Sequence, residues 1–130
     1  MVIATGVDLA EIERVARALA ARHGERFRAR IYTAEEQRYC DSRGRGRAES
    51  YAARFAAKEA VMKALGVGWG GDAGWQDICV VRRRGGPPMI ELSGAALATA
   101  RRKGIARLSL ALSHAGGLAV AFVVAEGEGP

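Results

Sequence analysis

The stretch Arg54-Phe55-Ala56-Ala57-Lys58-Glu59-Ala60-Val61-Met62-Lys63-Ala64-Leu65-Gly66 lies in the longest helical pattern of the chain, residues 48–65. Gly66 is placed to close it, because glycine adopts the left-handed conformation that ends helices at no steric cost. On a helical wheel Ala53, Ala56, Ala57, Ala60 and Ala64 form one seam of minimal side chains, which predicts close approach by a neighbouring element. Arg54 and Lys58 share a second stripe with Val61 and Leu65, and Glu59 and Lys63 stand at i and i+4 on the flank of the seam. Taken alone, Glu59 and Lys63 are an ordinary helix ion pair worth about 0.3–0.5 kcal/mol. What packs on the seam decides the fold.

Upstream, residues 2–9 read as a buried strand carrying one carboxylate, Asp8, near its end. From residue 10 to about 23, Ile12, Val15, Ala16 and Leu19 recur at helical spacing, with Arg14 and Arg17 opposite and Arg22 nearer the apolar edge. Thr33-Ala34-Glu35-Glu36 is a capping box that predicts a short helix bearing Tyr39 and Cys40, followed by a polar loop over 41–47. Downstream, a glycine-rich loop (66–74) leads to strands at 78–81 and 89–92 around a Gly-Gly-Pro-Pro turn. Ser93 is placed to cap a helix reaching Arg102, and strands at 105–112 and 118–125 flank Ser113-His114-Ala115-Gly116-Gly117. The order predicts one α+β domain over residues 1–130, an antiparallel sheet packed against helices.

With 130 residues, 49% of them hydrophobic, the chain is long enough for one core. A net charge of +6 implies an anionic partner: nucleic acid, an acidic protein surface or a polyphosphate. Cys40 and Cys79, the only cysteines, have no metal or disulfide spacing and read as small buried hydrophobes of a reducing cytoplasm. No apolar run approaches membrane-spanning length, and the first residues lack a signal-peptide pattern, so no membrane is expected.

Asp8, at the end of an otherwise apolar strand, is expected to emerge at the edge of the core. Paired with Glu59 from the helix, it offers two oxygen ligands with no His or Cys beside them, which suits Mg²⁺ better than zinc. Arg54, Lys58 and Lys63 would supply positive charge for phosphates on such an ion.

Five stretches together resemble the holo-acyl-carrier-protein synthase family of phosphopantetheinyl transferases. They are Gly6-Val7-Asp8-Leu9 with Glu11, Ile12 and Arg14; Thr33, Glu36, Tyr39 and Cys40; and the helix from Arg54 to Ala60 with Lys63 to Gly66. The remaining two are Trp75-Gln76-Asp77-Ile78 with Gly86-Pro87 and Leu92-Ser93-Gly94, and Leu112-Ser113-His114 before an apolar strand. The resemblance implies the phosphopantetheinyl transferase fold and transfer of 4′-phosphopantetheine from coenzyme A to a serine of an apo acyl carrier protein, releasing 3′,5′-ADP. It implies Mg²⁺ on Asp8 and Glu59, Lys63 on the phosphates, and Glu59 or a bound water as proton acceptor. Arg54, Lys63, Ser113 and His114 are implied as coenzyme A contacts. Ala115 stands where family members often carry a polar residue. Arg14 matches the family's carrier-docking helix, with Arg17, Arg22, Arg26 and Arg28 added by charge, and a homotrimer with sites at subunit clefts is implied. A polyketide-dedicated transferase differs only in its carrier surface. A small RNA-binding protein explains the basic charge but not Asp8, Glu59 and Lys63, and the chain lacks aromatics interleaved with its basic residues, so no nucleic-acid partner is expected.

Overall fold

Strand β1 (Val2–Glu11) shows why the alanine seam exists. Its inward row is Ala4, Gly6, Asp8 and Ala10, and it crosses helix α4 (Arg47–Leu65) at Gly6. A Cβ on Gly6 would fall 2.0 Å from the Ala60 carbonyl oxygen, so backbone meets backbone there. Ala56, Ala57 and Ala60 are fully buried in this contact layer and Ala64 is 4% exposed.

The computed structural model describes residues 1–68 and 74–129; most of the glycine-rich loop read from the sequence, 69–73, lies outside them. Between β1 and α4 come α1 (Ile12–Ala20), α2 (Gly24–Ile31) and α3 (Ala34–Asp41), with a short 3₁₀ turn at Gly44–Gly46. After α4 a second 3₁₀ turn (Trp75–Asp77) enters β2 (Ile78–Arg82), then β3 (Pro88–Leu92), α5 (Gly94–Arg102), β4 (Arg107–Ala115) and β5 (Leu118–Glu126). The strands form an antiparallel sheet in the order β1-β5-β4 and a separate β2-β3 hairpin. Asp8 lies opposite Ala121, which lies opposite Leu112. This is the expected α+β arrangement, with α4 covering one face of the larger sheet.

The other face is apolar and exposed. Val7 and Leu9 of β1 and Phe122 of β5 are 52%, 58% and 44% exposed. No described helix is long and apolar enough to cross a membrane.

Three local expectations change. The first helix ends at Ala20, and α2 follows as a separate element. Gly24 starts α2 against α1, where a Cβ would lie 2.0 Å from the Leu19 carbonyl oxygen. Ser93 occupies the N-cap of α5 without a side-chain cap; Asp77 Oδ2 instead accepts from Ala96 N at 3.3 Å. Ser113, His114 and Ala115 belong to β4, and the hairpin turn is Gly116-Gly117, both with positive φ. The Thr33 capping box is present as read, with Thr33 N donating to Glu36 Oε1 at 2.8 Å.

Candidate active site

Where β1 meets the C-terminal half of α4, Lys63 reaches across to the strand. Its Nζ donates to Asp8 Oδ1 at 2.8 Å and to the Val7 carbonyl at 3.0 Å. The Asp8 side chain is 13% exposed, so this ion pair is partly sheltered. The Asp8 hydrogen bond is the main cause of a Lys63 pKa raised above the ordinary lysine value. The charges of Asp8 and Glu59 add to it, against the cost of burial. Glu59, half-buried, thus belongs to the same electrostatic group as Asp8 and Lys63.

Two carboxylates around one ammonium, without imidazole or thiolate, fit a hard divalent cation of the Mg²⁺ kind. Among the described residues no three or more His, Cys, Asp or Glu side chains gather to hold a metal. A cation held by Asp8 and Glu59 would therefore draw its other ligands from water and substrate oxygens.

Asp8 and Glu59 stand at one end of a groove of about 810 Å³ between β1, α1 and α2. Val15, Phe27, Phe55 and Trp75 give it an apolar lining, and Arg14, Arg26 and Arg30 border it. Phe55 and Trp75 stack with centroids 5.2 Å apart. Arg17 and Arg22 do not line this groove, and Arg17 instead pairs with Glu13 at 3.3 Å on the exposed face of α1. Arg28 is turned away as well, bonded to Asp41 at 3.0 Å.

The remaining site residues lie elsewhere. His114 Nε2 is 3.1 Å from Glu49 Oε1 near the start of α4, nearly four helical turns or about 20 Å along the axis from Lys63. Ser113 is its neighbour on β4 and points to the opposite face of the sheet. Arg54 is 3% exposed and lies over the Tyr39 ring at 4.2 Å, with Nη1 on Ser50 Oγ at 3.1 Å and Nε without a hydrogen-bond partner. Lys58 is corrected outright. It is fully buried and paired with Glu36 at 2.7 Å, so it supplies no charge to a phosphate.

Sequence reasoning passed over Arg30, Phe27 and Trp75 as groove residues. The one available signal was the i,i+4 spacing of Phe27 and Ile31 beside Arg26 and Arg30.

A family model described as the 4′-phosphopantetheinyl transferase superfamily matches residues 4–123. The holo-[acyl-carrier-protein] synthase of Anaeromyxobacter dehalogenans is 49% identical over 132 aligned positions that take in all of both chains. The crystal structure of holo-[acyl-carrier-protein] synthase from Neisseria meningitidis superposes with a TM-score of 0.86 at 33% identity, covering 97% of this chain and 99% of that one. The Helicobacter pylori holo-[acyl-carrier-protein] synthase in complex with coenzyme A gives a TM-score of 0.81 at 31% identity, covering 94% and 99%.

Proposed function

Because the chain belongs to the 4′-phosphopantetheinyl transferase superfamily as a holo-[acyl-carrier-protein] synthase, we propose that Asp8, Glu59 and Lys63 are its reaction centre. The observation that carries this reading is the Lys63 bridge to Asp8 beside Glu59, at the end of a groove bordered by arginines. Residues 1–130 are taken as one transferase domain. Its donor is coenzyme A, its acceptor a serine of an apo acyl carrier protein, and its resident cation Mg²⁺ on Asp8 and Glu59.

The serine oxygen forms a bond to the β-phosphorus of coenzyme A, and the pyrophosphate P–O bond breaks to release 3′,5′-ADP. When bound, Mg²⁺ would neutralise charge on the pyrophosphate oxygens. Lys63 supplies a positive charge to the departing phosphate. Glu59, whose charge acts on Lys63 beside that of Asp8, is assigned to take the serine proton. His114, at the Glu49 end of α4, is assigned to the remaining coenzyme A phosphate. Ser113 would meet coenzyme A from the opposite face of the sheet, and Arg54, 3% exposed, would act through its field rather than by contact. The distance between the Glu49 end and Lys63 along α4 favours clefts shared by neighbouring copies.

The exposed apolar sheet face supports a homotrimer built on that face, since monomers rarely leave such a surface uncovered. Phe122→Asp would bury a carboxylate in each copy's contact, at a cost of several kcal/mol. It is expected to give monomers by light scattering and to lose turnover; a variant that stays trimeric places the interface elsewhere. Free Cys40 and Cys79, like the coenzyme A substrate, suit the cytoplasm.

The carrier is assigned to the groove between α1 and α2. Arg14, Arg26 and Arg30 face an acidic helix there, and the apolar lining takes its hydrophobic side chains. Arg14→Glu and Arg30→Glu should each raise KM for the carrier by about tenfold, ~1.4 kcal/mol, and spare KM for coenzyme A. Arg17→Glu, outside the groove, should change neither. Equal effects of all three in steady-state kinetics would mean that net charge, not this groove, governs docking.

The activity itself is tested by incubating the protein with coenzyme A, Mg²⁺ and an apo acyl carrier protein, then weighing the carrier intact. A gain of one phosphopantetheine, abolished by EDTA, is the expected result. Unmodified fatty-acid and polyketide carriers in the presence of bound coenzyme A would overturn it.

A further inference from the structure

We propose that the buried Glu36–Lys58 pair is a positioning device for the carrier side of the active site, pinning the Trp75–Asp77 turn from which the groove wall and its basic border are held. The proposal rests on the transferase reading above and concerns residues that touch neither substrate.

Both side chains are 0% exposed, with Nζ 2.7 Å from Glu36 Oε1. Enclosing two charges is costly unless every donor and acceptor is met, and an apolar pair of similar volume often serves stability as well or better. Here the needs are met. The three ammonium protons of Lys58 go to Glu36 Oε1, to the Trp75 carbonyl at 2.9 Å and to the Ile78 carbonyl at 2.6 Å. Glu36 also accepts from Thr33 N and from Val80 N, each at 2.8 Å. Burial pulls the Lys58 pKa below the ordinary lysine value, while Glu36 opposes that shift.

What this pair does that two leucines could not is grip backbone carbonyls at both ends of the Trp75–Asp77 turn. From that turn three successive side chains each fix a different helix. Trp75 stacks on Phe55 of α4, one helical turn before Glu59. Gln76 Nε2 donates to the carbonyls of Ala29 at 2.9 Å and Tyr32 at 2.8 Å, holding the C-terminal end of α2, where Arg30 lies; Arg26 stands one turn earlier on the same helix. Asp77 receives the start of α5 through Ala96 N. Trp75, Arg26 and Arg30 all line the carrier groove, whereas His114 and Ser113 lie on another part of the fold. Loosening the turn should therefore disturb one substrate and spare the other.

The test replaces both partners, Glu36→Leu with Lys58→Met, so that no unpaired charge remains. We expect a folded protein whose KM for the apo carrier rises by about tenfold while KM for coenzyme A stays within about twofold. In a Trp69→Phe background, acrylamide should quench Trp75 fluorescence more strongly in the double variant. A folded double variant with an unchanged carrier KM, or with both KM values raised together, overturns the proposal. If the double variant does not fold, Gln76→Ala decides, because that side chain is exposed and off the core. It should raise carrier KM by about threefold and leave coenzyme A untouched, and an unchanged carrier KM again overturns it. Loss of phosphopantetheine transfer by the wild-type enzyme in the mass assay would sink the transferase reading instead, so the two failures are distinguishable.

Discussion

Glu59→Gln is expected to lower kcat by about 10²–10⁴-fold, the range lost with a proton acceptor, and to leave the fold unchanged. The substitution keeps the shape of a half-buried side chain on α4 and removes only its charge. That charge serves three purposes in the proposed site: it accepts the serine proton, contributes to the cation site and adds to the field that keeps Lys63 protonated. Lys63 should stay in place, because the first cause of its raised pKa is the hydrogen bond to Asp8, which glutamine at 59 does not touch. Coenzyme A affinity by calorimetry in EDTA should change little, since the contacts assigned to Lys63 and His114 persist. Asp8→Asn provides the complementary case, removing the charge that fixes Lys63. A folded Glu59→Gln enzyme within about threefold of wild-type kcat would take Glu59 out of the reaction altogether.

These residues were legible in the sequence to different degrees, for reasons that are physical. The α4 helix, its glycine stop and the capping box at Thr33 are local patterns, and local patterns survive into the fold. The Asp8–Lys63 contact spans 55 residues, so on its own helix Lys63 showed only the i+4 relation to Glu59. Helix α2 was missed because Phe27 and Ile31 are its only large apolar residues. Much of its support is tertiary, from Gly24 seated on α1 and Gln76 at its far end. Lys58 was misread for a related reason. Its wheel position beside Arg54 suggested a shared charged stripe, yet Glu36 both completes the Thr33 cap and reaches Lys58 from α3. A capping residue gives no sign in sequence that its carboxylate also neutralises a buried lysine.

Gly6→Ala should be, of the glycine substitutions at described positions, one of the two most crowded, with Gly24→Ala its equal in distance but remote from the reaction centre. The added Cβ would lie 2.0 Å from the Ala60 oxygen, 2.9 Å from its carbonyl carbon and 3.1 Å from Ala64 N. All three are backbone atoms, so no rotamer change relieves the overlap, and the α4 side chains facing this contact are already alanines. Strand β1 has to lift from α4 by about 1 Å or more, and Asp8, two residues on, rises with it. The 2.8 Å contact to Lys63 and the spacing to Glu59 are then lost together. We expect about 1–3 kcal/mol of destabilisation in chemical denaturation, typical of an overpacked core. The fall in kcat/KM should be about 10²-fold, as for a displacement of this size at a reacting centre. Gly46→Ala, whose Cβ meets nothing nearer than Arg43 Cβ at 3.8 Å, should be silent in both measurements. Because the obstacle is the Ala60 carbonyl rather than its methyl group, adding Ala60→Gly should not rescue Gly6→Ala. Recovery of activity in that double variant would show that side-chain bulk, not backbone contact, sets the height of β1 over α4.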